Sequence, residues 1–232
     1  MDPSDPSQTC DLDIARIAAL VGDPARAAML RALGDGRALP CGELAACAGI
    51  GAASASEHLR QLREAGLLAV SRSGRHRYHR IASPEVAALL EALALVAAQG
   101  AGRPVSRVDP ALRAGRTCYD HLAGRLGVAI LDALAERAAL WVAEDIAHLT
   151  PSGLSLLADF GLDTRALERH PVSRTCTDWS ERRYHLSGPL GAAICRRCFE
   201  LDWVQRHLDS RAVSVTPEGA RGLRAALGLR LP

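Results

Sequence analysis

Cysteine, histidine and aspartate recur in one order in the C-terminal half of this chain. Arg116-Thr117-Cys118-x-Asp120 runs directly into His121, and Arg174-Thr175-Cys176-x-Asp178 is followed by Trp179 and, further on, by His185. Thiolate, imidazole and carboxylate suit zinc or another borderline metal ion, and two copies brought together would supply four or more donors. The same thiols, each with an arginine two positions earlier, also suit a sensor of oxidants, electrophiles or trivalent arsenicals, because a nearby cation favours the thiolate. The third reading is structural: a small buried cysteine, a capping aspartate and a histidine bonded to backbone, with any organic effector held elsewhere. Sequence alone leaves all three open. Cys118, Asp120, His121, Cys176, Asp178, Trp179 and His185 are therefore the candidate effector residues, and zinc is the candidate cofactor.

A longer repeat underlies these residues. His121-Leu-Ala-Gly-Arg-Leu-Gly-Val-Ala-Ile130 returns as His185-Leu-Ser-Gly-Pro-Leu-Gly-Ala-Ala-Ile194, Trp141-Val142 as Trp203-Val204, and Thr150-Pro-Ser-Gly153 as Thr216-Pro-Glu-Gly219. Four blocks in the same order indicate an internal duplication. Each copy is expected to hold a motif turn, a helix starting near the histidine, a tryptophan segment, a short strand (145–149; 211–215) and a helix with threonine as N-cap and proline first. The two copies should pack as a pseudo-two-fold pair. Trp179-Ser-Glu-Arg-Arg-Tyr184 is an insertion in the second copy, and its asymmetry marks it as a place to look for a ligand. Cys195-x-x-Cys198 lies in a helical pattern without a second pair, which is poor spacing for a zinc knuckle.

The N-terminal half carries a different chemistry. Residues 54–80 hold six arginines against two glutamates, whereas the whole chain has a net charge of only +2. Apolar periodicity predicts helices over 12–21 and 24–33, the second opened by Asp23-Pro24. A short helix over 42–48, a turn at 49–51 and a longer helix over 52–64 have the spacing of a helix-turn-helix. Gly66 ends that helix. A strand over 67–70, a Ser73-Gly74 turn and a strand over 76–81 then form a hairpin, the wing of a winged helix.

The pattern Ser56-x-His58-Leu59-x-x-Leu62-Arg63-x-x-Gly66-Leu67-Leu68, followed by Gly74-Arg75-x-x-x-Tyr78, resembles the recognition helix and wing of the ArsR/SmtB repressors over residues 12–99. The resemblance implies a transcriptional regulator that binds a double-stranded DNA operator as a homodimer, through the first and last helices of that domain. The last of these, 84–99, is apolar on nearly every turn and would leave exposed oil on a monomer. Ser54, Ser56, Glu57, His58, Arg60 and Gln61 on the helix, with Arg72, Arg75 and Arg77 on the wing, are the candidate DNA-binding residues. Ala52 and Ala53 depart from the longer side chains usual there. The metal-site spacings of that family are absent, and Cys41 and Cys47 read as small core residues.

Bulk properties bound the remainder. No apolar run reaches the ~18 residues of a membrane span, and the acidic N-terminus is unlike a secretory signal, so a cytoplasmic protein is expected. No phosphate loop, nucleophile elbow or metalloprotease helix points to an enzyme. The expected architecture is mainly α with small β-hairpins: a disordered tail (1–10), a winged helix-turn-helix with dimer helices (11–99), a linker (100–115) and a duplicated sensor domain (116–232; repeats 116–165 and 174–230). The function read from these features is repression, with DNA binding modulated by a small effector.

Overall fold

The computed structural model describes residues 13–74, 76–100, 109–207 and 210–229. The expected N-terminal tail, Arg75 and residues 101–108 of the expected linker lie outside the described residues. What is described forms two compact units, residues 13–33 with 38–83, and residues 34–37 with 84–229.

The first unit contains α1 (Ile14–Gly22), α2 (Pro24–Ala32), β1 (Leu39–Pro40), α3 (Cys41–Ala48), α4 (Ala52–Glu64), β2 (Leu68–Ser73) and β3 (His76–Ile81). The Asp23 carboxylate accepts from the Arg26 backbone N–H at 2.9 Å, with Pro24 in the first turn. Gly49, in the left-handed region at φ 66°, ends α3 and permits the tight turn into α4. Met29, Leu30, Leu33, Leu44, Ala55, Leu59, Leu62, Leu67, Leu68 and Ile81 form the core. Each buried leucine contributes roughly 1.5–3 kcal/mol, enough for a small unit to hold its short helices in place. The strands pair in the order β1-β3-β2, which makes this a winged helix-turn-helix. The wing is longer than expected, because β2 runs to Ser73 and pairs with β3 along its full length.

The second unit begins with α5 (Pro84–Gly100) and α6 (Pro110–Ala114). The latter is a capped turn where the sequence reads as linker: Asp109 accepts from the Ala111 N–H at 2.9 Å. There follow β4 (Arg116–Cys118), β5 (His121–Ala123), α7 (Gly124–Glu136), β6 (Leu140–Ala143), β7 (Ile146–Leu149) and α8 (Pro151–Asp159). After α9 (Arg165–Arg169) the order returns as β8 (Val172–Thr177), β9 (Tyr184–Leu186), α10 (Gly188–Glu200), β10 (Val204–Arg206), β11 (Val213–Val215) and α11 (Pro217–Leu227). Thr150 and Thr216 cap α8 and α11 alike, accepting from the Gly153 and Gly219 N–H at 3.0 and 2.9 Å.

The two halves interleave. Strands β6-β7-β8-β9 form one antiparallel sheet, so the second hairpin of one half is extended by the first hairpin of the other. The reciprocal junction brings β4 to β11 through an Arg116–Ala212 bridge and backbone bonds from Thr117 N to Arg211 O and from Val213 N to Gly115 O, both 2.9 Å. Helix α7 packs on β9, and α10 on β5. The core between them is built from Leu122, Leu126, Ile130, Leu134, Leu186, Leu190, Ile194 and their neighbours.

Hairpin register corrects the proposed tryptophan equivalence. Leu140 pairs with Leu149 and Val204 with Val215, and Thr150 and Thr216 donate backbone N–H groups to Ala139 and Trp203 respectively. Trp203 therefore corresponds to Ala139. Trp141 lies two positions further along, largely exposed and stacked on His148 with ring centroids 4.0 Å apart. The shared Trp-Val dipeptide is a coincidence of sequence.

His79 on β3 is buried with its Nδ1 unpartnered. Burial first, then the Arg63 and Arg77 charges, hold its pKa below the ordinary 6.5. The folded state thus favours the neutral ring: the stability it contributes is complete above pH 6.5 and is lost as pH falls below it. Thermal unfolding of wild type and His79→Gln should accordingly converge on acidification from pH 8 to 5.5, the wild type losing more. Parallel curves would mean that His79 does not couple to folding.

Candidate functional site

Two groups of residues have the makings of a site, one in each unit. In the first, α4 buries Ala55, Leu59 and Leu62 and exposes Ser54, Ser56, Glu57 and Arg60. The exposed face is already organised. Arg60 pairs with Glu57 at 2.6 Å and Glu64 at 2.5 Å, and hydrogen bonds from Arg60 and then Gln61 hold the Glu57 carboxyl at about 2. Ser56 Oγ donates to Ala52 O at 2.9 Å. His58 and Gln61 are only half exposed: the Arg26 guanidinium on α2 donates to Gln61 Oε1 at 2.9 Å and lies 3.3 Å from His58 Nδ1. The same guanidinium donates to Leu20 O and Ala19 O, two carbonyls of the last turn of α1. Arg26 thus ties three helices together, a role that an arginine in an alanine-rich helix does not announce in sequence.

Arg72 and Arg77 stand directly opposite each other across the wing, both exposed and, among the described residues, without an ion-pairing carboxylate. Like charges in directly opposed positions destabilise a hairpin. A polyanion laid along the wing would remove that repulsion. The small-core reading of Cys41 and Cys47 is not upheld: Cys47 is exposed, and half-buried Cys41 has its sulfur 3.5 Å from Ser56 Oγ. Helix α3 spends its inner face on Leu44 and Ala45.

In the second unit, Cys118, His121, Cys176 and His185 come together, one donor atom from each lying within 4.8 Å of the others. Strand pairing explains how. Cys118 is the register partner of His121 on β4–β5, and Cys176 of His185 on β8–β9. Opposed residues of an antiparallel pair point to the same face, so each hairpin presents one thiol and one imidazole. The insertion that separates Cys176 from His185 lengthens the connecting loop and leaves this register unchanged.

Glycines let the hairpins meet. A Cβ on Gly127 of α7 would lie 2.3 Å from Leu122 O and 3.4 Å from His185 Cβ; one on Gly191 of α10 would lie 2.5 Å from Leu186 O and 3.2 Å from His121 Cβ. Each helix therefore passes against the histidine of the other half, and the two imidazoles face one another with centroids 5.1 Å apart. The remaining void there is about 10 Å³, lined by Leu122, Gly127, Ile130, Leu186, Gly191 and Ile194. That is room for about one water, far short of an organic effector.

The aspartates and Trp179 are not among the four. Asp120 Oδ1 lies 3.0 Å from His121 Nδ1, which directs the other ring nitrogen into the cluster. Asp178 Oδ2 approaches His185 Nδ1 at 3.6 Å and is otherwise committed to Arg116 at 3.0 Å and to the Gly124 N–H, at the start of α7, at 2.6 Å. Burial would raise the Asp178 carboxyl, but Arg116, Ser180 and the Gly124 amide outweigh it and hold it at about 2. Arg116 is wholly buried, donates also to Ser180 Oγ at 3.1 Å, and stacks over Trp179 at 4.5 Å. The insertion thus buttresses Arg116.

The expectation that Arg116 and Arg174 lower the thiol pKa is corrected on the same ground, since Arg116 is spent on Asp178 and Arg174 is exposed. The groups that act on Cys176 are the Cys118 thiol, which hydrogen-bonds to it, opposed by burial, and then the His121 and His185 rings; together they lower it strongly. Cys118 moves the other way, raised by that hydrogen bond and by burial. Burial of His121 favours its neutral form, but the Asp120 carboxylate bonded to its Nδ1 and the Cys176 sulfur nearby reverse this and raise it. Yet His121 Nε2 and both nitrogens of His185 are buried without a hydrogen-bond partner. Each such atom costs about 1–3 kcal/mol unless something binds it. Cys195 and Cys198 belong to the core, their thiols pushed up to about 12 by burial.

Comparison with known proteins bears on the first unit and on the whole chain. Residues 21–71 match a helix-turn-helix domain family. Over 223 residues the chain is 36% identical to YdfF of Bacillus subtilis (strain 168), described as an uncharacterised HTH-type transcriptional regulator, covering 94% of this chain and 99% of that one. Among solved structures, the winged helix-turn-helix DNA-binding domain of Mb0332 from Mycobacterium bovis, described as homodimeric and as a possible ArsR-family regulator, is 27% identical over 43% of this chain and 93% of its own, at a TM-score of 0.38. The transcriptional repressor BigR of Xylella fastidiosa is 28% identical over 36% of this chain and 84% of its own, at a TM-score of 0.33.

The asymmetry of Arg116 and Arg174, which occupy matching motif positions, gives a direct test. Arg116→Leu strands the buried Asp178 carboxylate and should lower stability by about 3–5 kcal/mol, whereas Arg174→Leu on the surface should change it by less than about 0.5 kcal/mol. Denaturant midpoints of the two variants decide the matter; equal effects would remove the buttressing role.

Proposed function

Because this chain belongs to the family of HTH-type transcriptional regulators, we propose that it works as a homodimeric, ArsR-type repressor that occupies a double-stranded DNA operator in the cytoplasm. The observation that carries the proposal is the facing, unneutralised Arg72 and Arg77 on the wing beside the exposed face of α4. Ser54 and Ser56 are exposed toward base edges, Ser56 as an acceptor while its hydroxyl donates to Ala52 O, and Arg60 reaches phosphate by exchanging Glu57 and Glu64 for the DNA backbone. His58 and Gln61, held by Arg26, fix the pitch of the helix. Arg75 belongs to the same basic run in sequence. This reading assigns the chain no reaction.

Dimerisation is supported by α5, which leaves Leu89, Leu93 and Val96 exposed at 37%, 42% and 63%. Their spacing puts them on one stripe of the helix. The effector arrives at the second unit, where the Cys118, His121, Cys176 and His185 cluster, with Asp120 beside it, is the receiving site for a metal or a thiol-reactive agent. A change there alters the disposition of the two recognition helices of the dimer and with it operator affinity.

Anisotropy titration of the full chain on its own upstream DNA tests the binding proposal. Arg72→Ala and Arg77→Ala should each weaken binding to all sequences alike and reduce the salt slope by about 1. A salt-independent affinity would instead make the winged helix a protein-binding module. Light scattering tests the dimer: Leu93→Glu with Val96→Glu should yield monomer and abolish operator binding, and a dimer that persists would place the interface elsewhere.

A further inference from the structure

Four side chains in the second unit have donor chemistry and no adequate partner. Cys118, His121 and His185 are buried, while Cys176 is half-buried. Three imidazole nitrogens, His121 Nε2 and both of His185, are buried with nothing to bond. These nitrogens are a second observation, independent of the clustering, and they point to a missing electrophile. Two cysteine sulfurs are poor partners for buried imidazole nitrogens, because a thiol is only a weak donor and a weak acceptor.

We infer that Cys118, His121, Cys176 and His185 together hold one four-coordinate divalent metal ion of the zinc class, two ligands from each half of the unit. Zinc takes two sulfurs at about 2.3 Å and two nitrogens at about 2.0–2.1 Å in a tetrahedron, which sets ligand atoms roughly 3.3–3.8 Å apart. The present spread, within 4.8 Å, closes to that by a small contraction of two facing hairpins. Binding exchanges protons for the metal: whichever of the four ligand atoms still carries a proton loses it to solvent as its bond to the metal forms, and no oxidant or reductant takes part.

The surroundings are arranged as such a site needs. Asp120 accepts from His121 Nδ1, fixing the tautomer that leaves Nε2 for the metal. Asp178 stands 3.6 Å from His185 Nδ1 in the matching position. Half-buried Cys176 gives the ion a way in. All four positions of the tetrahedron are filled by the protein, so the ion would cross-link β4–β5 to β8–β9 and offer no open position for catalysis.

This inference deepens the reading of the cluster as the effector site and rests on that reading only for its regulatory consequence, so metal content and DNA binding are measured separately. The full chain, purified under reducing conditions, should contain one zinc per chain by elemental analysis. The stripped protein should take up one cobalt(II) per chain, with the intense visible bands of a tetrahedral ion and sulfur-to-cobalt charge transfer in the near ultraviolet. Cys118→Ser with Cys176→Ser should remove both signals, and Cys47→Ser should leave them intact.

Should the double variant fail to fold, Asp120→Asn keeps all four ligands and should weaken metal affinity 10–100-fold by competition with a chromophoric chelator. A folded, reduced wild type that takes up no metal overturns the inference, as does uptake by the folded double variant with an unchanged spectrum, unchanged affinity in Asp120→Asn, or a Cys118–Cys176 disulfide that persists in the reduced preparation. Normal metal uptake with operator affinity unaffected by chelation would uphold the site and overturn only its role in signalling.

Discussion

Helices α7 and α10 pack so tightly on the strands that precede them that Gly127 and Gly191 leave no room for a methyl group against Leu122 O and Leu186 O, and the same glycines sit beside His185 and His121 of the other half. That approach governs the second unit. It brings His121 against His185, aligns β4–β5 with β8–β9, and leaves almost no free volume at the axis between them. A larger residue at either glycine would press first on Leu122 O or Leu186 O of its own half and then on the facing histidine. The site is therefore a property of the packing between two halves, and neither hairpin holds more than one thiol and one imidazole of its own.

A buried ion pair supports this geometry from one side. Arg116 and Asp178 come from different halves, 62 positions apart in the chain, and both are withdrawn from solvent. Desolvating two charges is expensive, and their attraction offsets it only when the remaining hydrogen-bonding capacity is used. Here Ser180, Glu181 N–H and the first turn of α7 use that of Asp178. The cost of the arrangement lies in its intolerance: remove one partner and the other is left charged in a dry core.

The first unit follows a different logic. Its core is ordinary leucine packing, while its outer face carries charge in two states of compensation. On α4 Arg60 is neutralised within the helix, and on the wing Arg72 faces Arg77 with, among the described residues, no carboxylate between them. Free of DNA, the helix is electrostatically satisfied and the wing is not. In the proposed complex, phosphate contact would relieve the wing and compete with Glu57 and Glu64 for Arg60, so the wing would supply attraction and the helix a cost that base contacts must offset.

Much of the first unit was legible in the residues. Asp23-Pro24, Gly49, Gly66 and the apolar spacing of α4 act locally, within a turn or two of chain, and the observed bounds of α4 match the expected 52–64. The paired Cys and His motifs and the Thr-Pro caps were equally visible, because repetition shows itself by identity of type. What sequence could not assign was which of the motif residues meet. Asp178 and Trp179 share a loop, yet they turn to Arg116; Trp141 and Trp203 share a dipeptide, yet hairpin register parts them by two positions; Arg26 looks like a surface arginine until α2 and α4 cross. Local signals determine elements because their energetics involve neighbours in the chain. The cluster was decided by tertiary structure alone, because its four donors belong to two hairpins that meet through contacts between residues some sixty positions apart, which no local pattern encodes.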